Sequence, residues 1–286
     1  MSHMLTWITP WEFSPTVLLS CLLASALYLR GLGRKKATGE SVSGWRTGSF
    51  FVGLVLIYLV LQTYFDFLSQ HMFWVHRLQH LVLHHLGPFL VMIALPGEVM
   101  EQGLPAWSRP PILALLRSRG VRLAYRVLQN PVIASVLFVG LIYLWLTPSI
   151  HFVAMLSAPL YKVMNWSMLV DGLLFWWLIV DPRPPQMYRT PRHPIRILML
   201  WGVMLPQIAL GAYIALSRHE LYDAYSVCGR AWPISPLTDQ EYGGLITWIP
   251  SAMMSVVGGL VVLRLWTRSG GRVRSGQPTL PAVDQA

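Results

Sequence analysis

"SQHMFWVHRLQHLVLHHLGPFL" (Ser69–Leu90) carries five of the chain's nine histidines in an otherwise apolar stretch. The rest of the chain decides which solvent that stretch faces. Of 286 residues, 54% are hydrophobic and only 12% charged, with thirteen Trp and a mean hydropathy of +0.50. A soluble domain of this length is not so apolar. Lipid offers backbone groups no water, so only helices or closed barrels cross it, and a helix needs ~20 apolar residues to do so. The apolar runs here are continuous rather than alternating, which favours helices over barrel strands. They predict an all-α, polytopic bundle of seven transmembrane helices near residues 14–30, 48–68, 72–95, 131–147, 157–180, 197–217 and 243–264. Residues 1–265 read as one membrane domain, and 266–286 as a disordered tail. The first span has no basic segment before it and no small-residue cleavage site, so it reads as a retained helix, not a signal peptide.

Basic residues orient the bundle. Eighteen of the 22 Lys and Arg fall on alternate connections: after the first helix, between the third and fourth, between the fifth and sixth, and in the tail. The positive-inside rule then puts the N-terminus outside and the C-terminus in the cytoplasm. The net charge of +10 is explained by this topology and by attraction to anionic lipid. No nucleic-acid motif accompanies the charge, so no nucleic-acid partner is expected. In the long cytoplasmic connection, residues 111–128 interleave Arg with apolar positions at helical spacing, as in a helix lying in the interface.

With that topology the histidines acquire depths. His71 lies at the outer face, His76 and His80 one to two turns in, and His84 and His85 about 18–21 Å down. Met72, His76, His80 and His84 share an i, i+4 stripe that points into the bundle. His151 falls in the outer connection after the fourth helix. Asp66 ends the second helix on the same side, and Asp239 precedes the seventh. Two imidazoles one turn apart can chelate one ion, so the candidate metal ligands are His76, His80, His71, Met72, His84, His151, Asp66 and Asp239. The plainer alternative for His84 and His85 is a hydrogen-bonded contact between helices. Asp171, midway along the fifth span, needs a partner from another helix or a proton. Cys21 and Cys228 are too few and too far apart in kind, one in a span and one in an outer loop, to suggest a disulfide, and no CxxC or CxxCH occurs.

At these residues the chain resembles the seven-helix, CtaG-type cytochrome c oxidase assembly factors of bacteria. His76, Gln79, His80, Pro88 and Pro96 fall on that family's histidine helix, with Arg77 where Met is usual. Asp239, Gln240, Gly243, Gly244, Trp248 and Pro250 fall on its last loop and helix, and the resemblance spans about residues 48–265. The middle departs from the pattern. Trp145, Leu146 and Pro148 stand at a Trp-His-x-Pro motif, and Tyr161, Met164 and Asn165 at a His-x-x-Glu-His motif. The resemblance implies a multi-pass protein of the bacterial inner membrane with no catalytic activity. It implies that the chain binds or delivers copper, as Cu(I), on the periplasmic side, with oxidase subunits or a periplasmic copper chaperone as partners alongside the lipid bilayer. Imidazole and thioether suit Cu(I), whereas the Arg77 charge opposes it. Haem b clamped by histidines and a cofactor-free assembly scaffold are the alternatives.

Overall fold

The computed structural model describes residues 12–183 and 190–274. Most of the expected tail, residues 275–286, lies outside them. Helix α1 (Pro15–Ala37) and helix α2 (Gly44–Gln62) are the first two spans. The single helix expected over 48–68 is instead two. Thr63 is extended (φ −100°, ψ −175°), bonds its hydroxyl back to the Leu59 carbonyl at 2.7 Å, and caps α3 (Tyr64–His71) by accepting the Phe65 N–H. At Met72 the backbone is extended again (φ −141°, ψ 121°) before α4 (Phe73–Leu81) starts.

The histidine span continues from α4 through a π turn, Val82–Leu86, into α5 (Gly87–Ile93). Pro88 accounts for the irregularity. It has no N–H to offer the His84 carbonyl four residues back, and its ring crowds that carbonyl. The freed oxygen accepts the Trp176 indole N–H at 3.2 Å. Gly172 makes the approach possible, since a Cβ there would stand 2.6 Å from the same oxygen. Leu95 then adopts a left-handed conformation (φ 53°), and the chain turns 71° into α6 (Pro96–Gly103).

The expected interface helix is also two pieces, α7 (Arg109–Leu116) and α8 (Arg119–Leu128). Both leave apolar side chains such as Leu115 and Leu123 exposed beside their arginines. Asn130 turns the chain 71° and caps α9 (Pro131–Leu146) by accepting the Val132 and Ile133 N–H groups. The connection after the expected fourth span contains a helix, α10 (Pro148–Leu156), which leads into α11 (Ala158–Val180). Helix α12 (His193–Leu216), the short α13 (Ala224–Cys228) and the long α14 (Pro236–Arg274) complete the described chain.

Five of these helices, α1, α2, α11, α12 and α14, are long and apolar enough to cross a membrane, and the two bent pairs raise the number to as many as seven. Helix α14 lies along both α12 and α4, while α5 packs between α2 and α11. The histidine span is thus enclosed on three sides, and its polar residues face protein.

Helix α1 joins the bundle through α6. Gly31 and Gly103 have no side chain, which lets the backbones of the two helices touch: a Cβ at either would collide with the carbonyl of Val99 or Leu27. Lys35 bonds Glu40 at 2.9 Å and approaches Glu98 at 3.6 Å, and Arg34 donates to the carbonyls of Gln102 and Leu104. Replacing Gly31 or Gly103 by Leu should therefore lower the thermal midpoint of the detergent-solubilised protein by the equivalent of about 3 kcal/mol or more. Gly33→Ala, on the open side of α1, should leave it unchanged or raise it by up to about 1 kcal/mol.

Candidate functional site

The start of α4 is fixed by a carboxylate from a distant part of the chain. Asp239, fully buried at the first turn of α14, accepts the backbone N–H of Phe73 at 3.1 Å and of Trp74 at 2.9 Å. Those are orphan donors of a helix N-terminus, where a negative charge is also favoured by the helix dipole. Arg230 closes the arrangement by reaching Asp239 at 3.2 Å and Glu220 at 2.9 Å.

Below this cap lies a second carboxylate hub. Asp66, on α3, accepts Gln79 Nε2 and the Tyr161 hydroxyl on one oxygen, both at 2.8 Å, and Gln70 Nε2 on the other at 3.0 Å. Gln79 also donates to the Val60 carbonyl at 2.7 Å. Ser69 joins through its hydroxyl, 2.8 Å from that of Tyr161. A buried carboxylate survives in an apolar interior because its lone pairs are filled in this way.

His76, His80 and His151 meet next to the hub. The rings of His76 and His80 are 4.3 Å apart at their centres, and those of His76 and His151 are 5.2 Å apart. All three are buried. Helix α10 does what a loop would not: it carries His151 inward, where the sequence alone had left it in an outer connection. The Nδ1–H of His151 donates to the Trp145 carbonyl at 2.8 Å, so its Nε2 accepts the Tyr225 hydroxyl at 3.0 Å. Arg77 points a terminal N–H at His80 Nδ1 at 3.4 Å. The Nε2–H of His80 therefore donates to Asn165 Oδ1 at 3.1 Å. His80 and His151 thus have both nitrogens engaged. His76 has neither engaged, the Ser69 backbone being close but outside hydrogen-bond geometry.

The remaining candidates lie elsewhere. The break at Met72 ends the stripe there, and the Met72 side chain packs with Leu68 and Val75. His71 bonds the Phe67 carbonyl at 2.8 Å and rests on the Phe67 ring. His84, past the π turn, bonds Asp171 at 3.0 Å and stacks on Phe138. Asp171 has its partner on a neighbouring helix, and His84 has the contact between helices that was its plainer reading. Asp66 and Asp239 hold the frame. Among the described residues, no group of three or more His, Cys, Asp or Glu is arranged to hold a metal ion. Cys21 and Cys228 are free thiols.

The participants that were not among the sequence candidates include Arg77, Tyr161, Asn165 and Tyr225. Tyr161 and Asn165 had a signal, since they occupy positions at which the resembled family places histidine. Tyr225 had none, because a tyrosine in a polar loop carries no mark of burial.

Multi-pass membrane bundles with an inward, histidine-bearing helix form a recognisable class, and comparison narrows it. The chain belongs to the cytochrome c oxidase caa3 assembly factor family (Caa3_CtaG), whose description matches residues 26–269. It is similar to two uncharacterised mycobacterial proteins, Mb0105 of Mycobacterium bovis and MT0111 of Mycobacterium tuberculosis. Each is 25% identical over 283 residues, which cover 94% of this chain and 41% of the relative. The chain therefore spans about two fifths of the length of these curated relatives. No solved structure matches it.

Asp239→Ala should destabilise the protein by about 1–3 kcal/mol, since it uncaps α4 and removes one of the two carboxylates that hold Arg230. Asp239→Asn, which keeps an acceptor, should lose less. Thermal unfolding in detergent reads both, and equal losses would show that the cap geometry does not matter.

Proposed function

We propose that this family member serves haem-copper oxidase maturation as an assembly scaffold in the membrane, with its N-terminus and the Asp66–Asp239 side facing the periplasm. On this reading the histidine helix is a hydrogen-bonded frame that presents the outer end of the bundle to oxidase subunits. The observation that carries it is Arg77. Its guanidinium is buried among the histidines, donates to Thr247 at 2.9 Å and to His80, and has no carboxylate within ion-pair distance among the described residues. Arginine keeps its charge at any physiological pH. A permanent cation thus stands beside the imidazoles that a copper ion would need, and two of those imidazoles already have both nitrogens bonded.

One observation favours a second reading, transient copper as cargo. His76 is wholly buried with both nitrogens free, and an orphaned polar group is costly unless it has a use. The thioethers of Met164 and Met168 belong to the core cluster that also contains Tyr161 and Tyr225, both of which lie within ring contact of His76. Imidazole with thioether is a donor set suited to Cu(I). The chain carries out no bond-making step on either reading.

Deleting the gene should lower haem-copper oxidase activity in isolated membranes. Added copper in the growth medium should not restore that activity if the chain is a scaffold, and should restore it if the chain delivers copper. His76→Leu separates the readings within the protein. It removes two unsatisfied nitrogens, so the thermal midpoint should hold or rise by up to about 2 kcal/mol. The scaffold reading expects normal oxidase activity in that variant, and a stable but inactive variant would transfer the proposal to cargo.

A further inference from the structure

On the flank of the bundle, α4 and α14 part to leave an apolar groove that no histidine lines among the described residues. Two consecutive residues of α4 explain why. Gly243 has no side chain, so α14 lies directly against the Phe73 ring, with which a Cβ at that glycine would collide. Trp74, the next residue, projects about 100° round the helix from Phe73 and lines the groove with Tyr242, Leu245 and Ile246 of α14. The loop before α14 roofs it through Trp232 and Ile234, and Trp232 stacks on Trp74 with ring centres 5.8 Å apart. The cavity volume is ≈ 510 Å³, within the range of sites that hold a small molecule.

Depth and charge together choose the occupant. Trp and Tyr gather where the hydrocarbon of a bilayer meets its headgroups, since each joins an apolar ring to a polar tip. Trp74, Trp232 and Tyr242 set the groove at that level, with Leu245 and Ile246 one turn deeper along α14. An acyl chain entering from the side meets apolar walls and leaves its head at the rim. That rim is acidic. Glu241 lies one turn before Leu245 in the same row of α14, is exposed, and forms no ion pair among the described residues. Arg230, the basic residue of the roof loop, is already held by Glu220 at 2.9 Å and Asp239 at 3.2 Å. A head that carries a positive group therefore suits the rim, whereas a purely anionic head would meet the Glu241 charge.

We propose that the groove binds one zwitterionic phospholipid with a primary ammonium head, as in phosphatidylethanolamine. One acyl chain lies between Trp74, Trp232, Tyr242 and Leu245, and the ammonium pairs with Glu241. The lipid braces the roof loop and, through Arg230, the Asp239 carboxylate that caps α4. The site is independent of both functional readings, since it lies on the flank of the bundle and shares no residue with the His76 cluster.

The test is native mass spectrometry of the detergent-solubilised full chain, titrated with dioleoyl phosphatidylethanolamine or with dioleoyl phosphatidylglycerol. The wild type should keep one phosphatidylethanolamine per chain and hold it roughly two- to fivefold better than phosphatidylglycerol, the range expected of one exposed ion pair. Glu241→Gln, a change at an exposed position, should remove that preference. Leu245→Trp fills the groove and should lose the bound lipid, whereas Ile249→Trp, further along the exposed face of α14, should keep it. If Leu245→Trp fails to fold, Glu241→Gln decides alone. A wild type that keeps no lipid, or keeps both lipids equally, would overturn the proposal, as would a preference unchanged in Glu241→Gln. Lipid retained by folded Leu245→Trp would also overturn it, since that lipid would merely coat an apolar face. A second copy of the chain held in place of lipid would overturn it and assign the groove to a dimer.

Discussion

Within lipid, a polar atom must find its partner in the protein, and one span of this chain carries more such atoms than any single neighbour can serve. Most of the fold follows from that constraint. Asp239 comes from α14 to cap the span, Asp66 from α3 to hold Gln79, Tyr161 and Asn165 from α11 to reach the hub and His80, Tyr225 from the last loop to close on His151, and Asp171 to take His84. Most of these bonds tie the span to another element of the bundle, and the Tyr225–His151 bond braces a histidine that packs against it. The bundle is held together by apolar packing of the usual size, but its register is set by these polar contacts, because a shifted helix would strand several of them at once.

The spans were legible because hydropathy is a property of long windows. Residues 157–180 of the expectation and Ala158–Val180 of the structure differ by one residue at the start. Breaks were not legible, because they depend on single residues whose effect is decided by neighbours. Thr63 reads as an ordinary β-branched residue inside an apolar run, yet its hydroxyl ends one helix and begins the next. Met72 reads as the top of a histidine stripe, yet an extended backbone there gives its side chain to another cluster. Pro88 is visible in the sequence, but its consequence, a π turn stabilised by Trp176, requires knowing that Trp176 is within reach.

The site was legible in its histidines and carboxylates and obscure in what binds them. His76 and His80 were paired by spacing, and the structure sets their rings together. Asp66 and Asp239 were read as ligands, whereas each works as an acceptor of N–H or O–H groups from the frame. His151 needed tertiary information, since its burial depends on α10 folding inward. The family's unmatched positions turn out to be informative: Tyr161 and Asn165 stand at the site and contribute hydrogen bonds, so the pattern departs there in chemistry and not in place.

The π turn has a consequence for how the histidine span can vary over time. An extra residue within one turn rotates everything after it by about 100° relative to an uninterrupted helix. The half before the turn, with Gln79 and His80, and the half after it, with His84 and His85, therefore keep separate angular settings on one continuous rod. Removing a single residue between Val82 and Leu86 would turn the π turn into an ordinary α turn and leave both halves facing as they do, with the Asp239 cap and the Asp66 hub in place. Insertion and deletion, usually confined to loops, can here be absorbed inside a helix, so that related chains can differ in length by one residue at this turn and still present the same faces on either side of it.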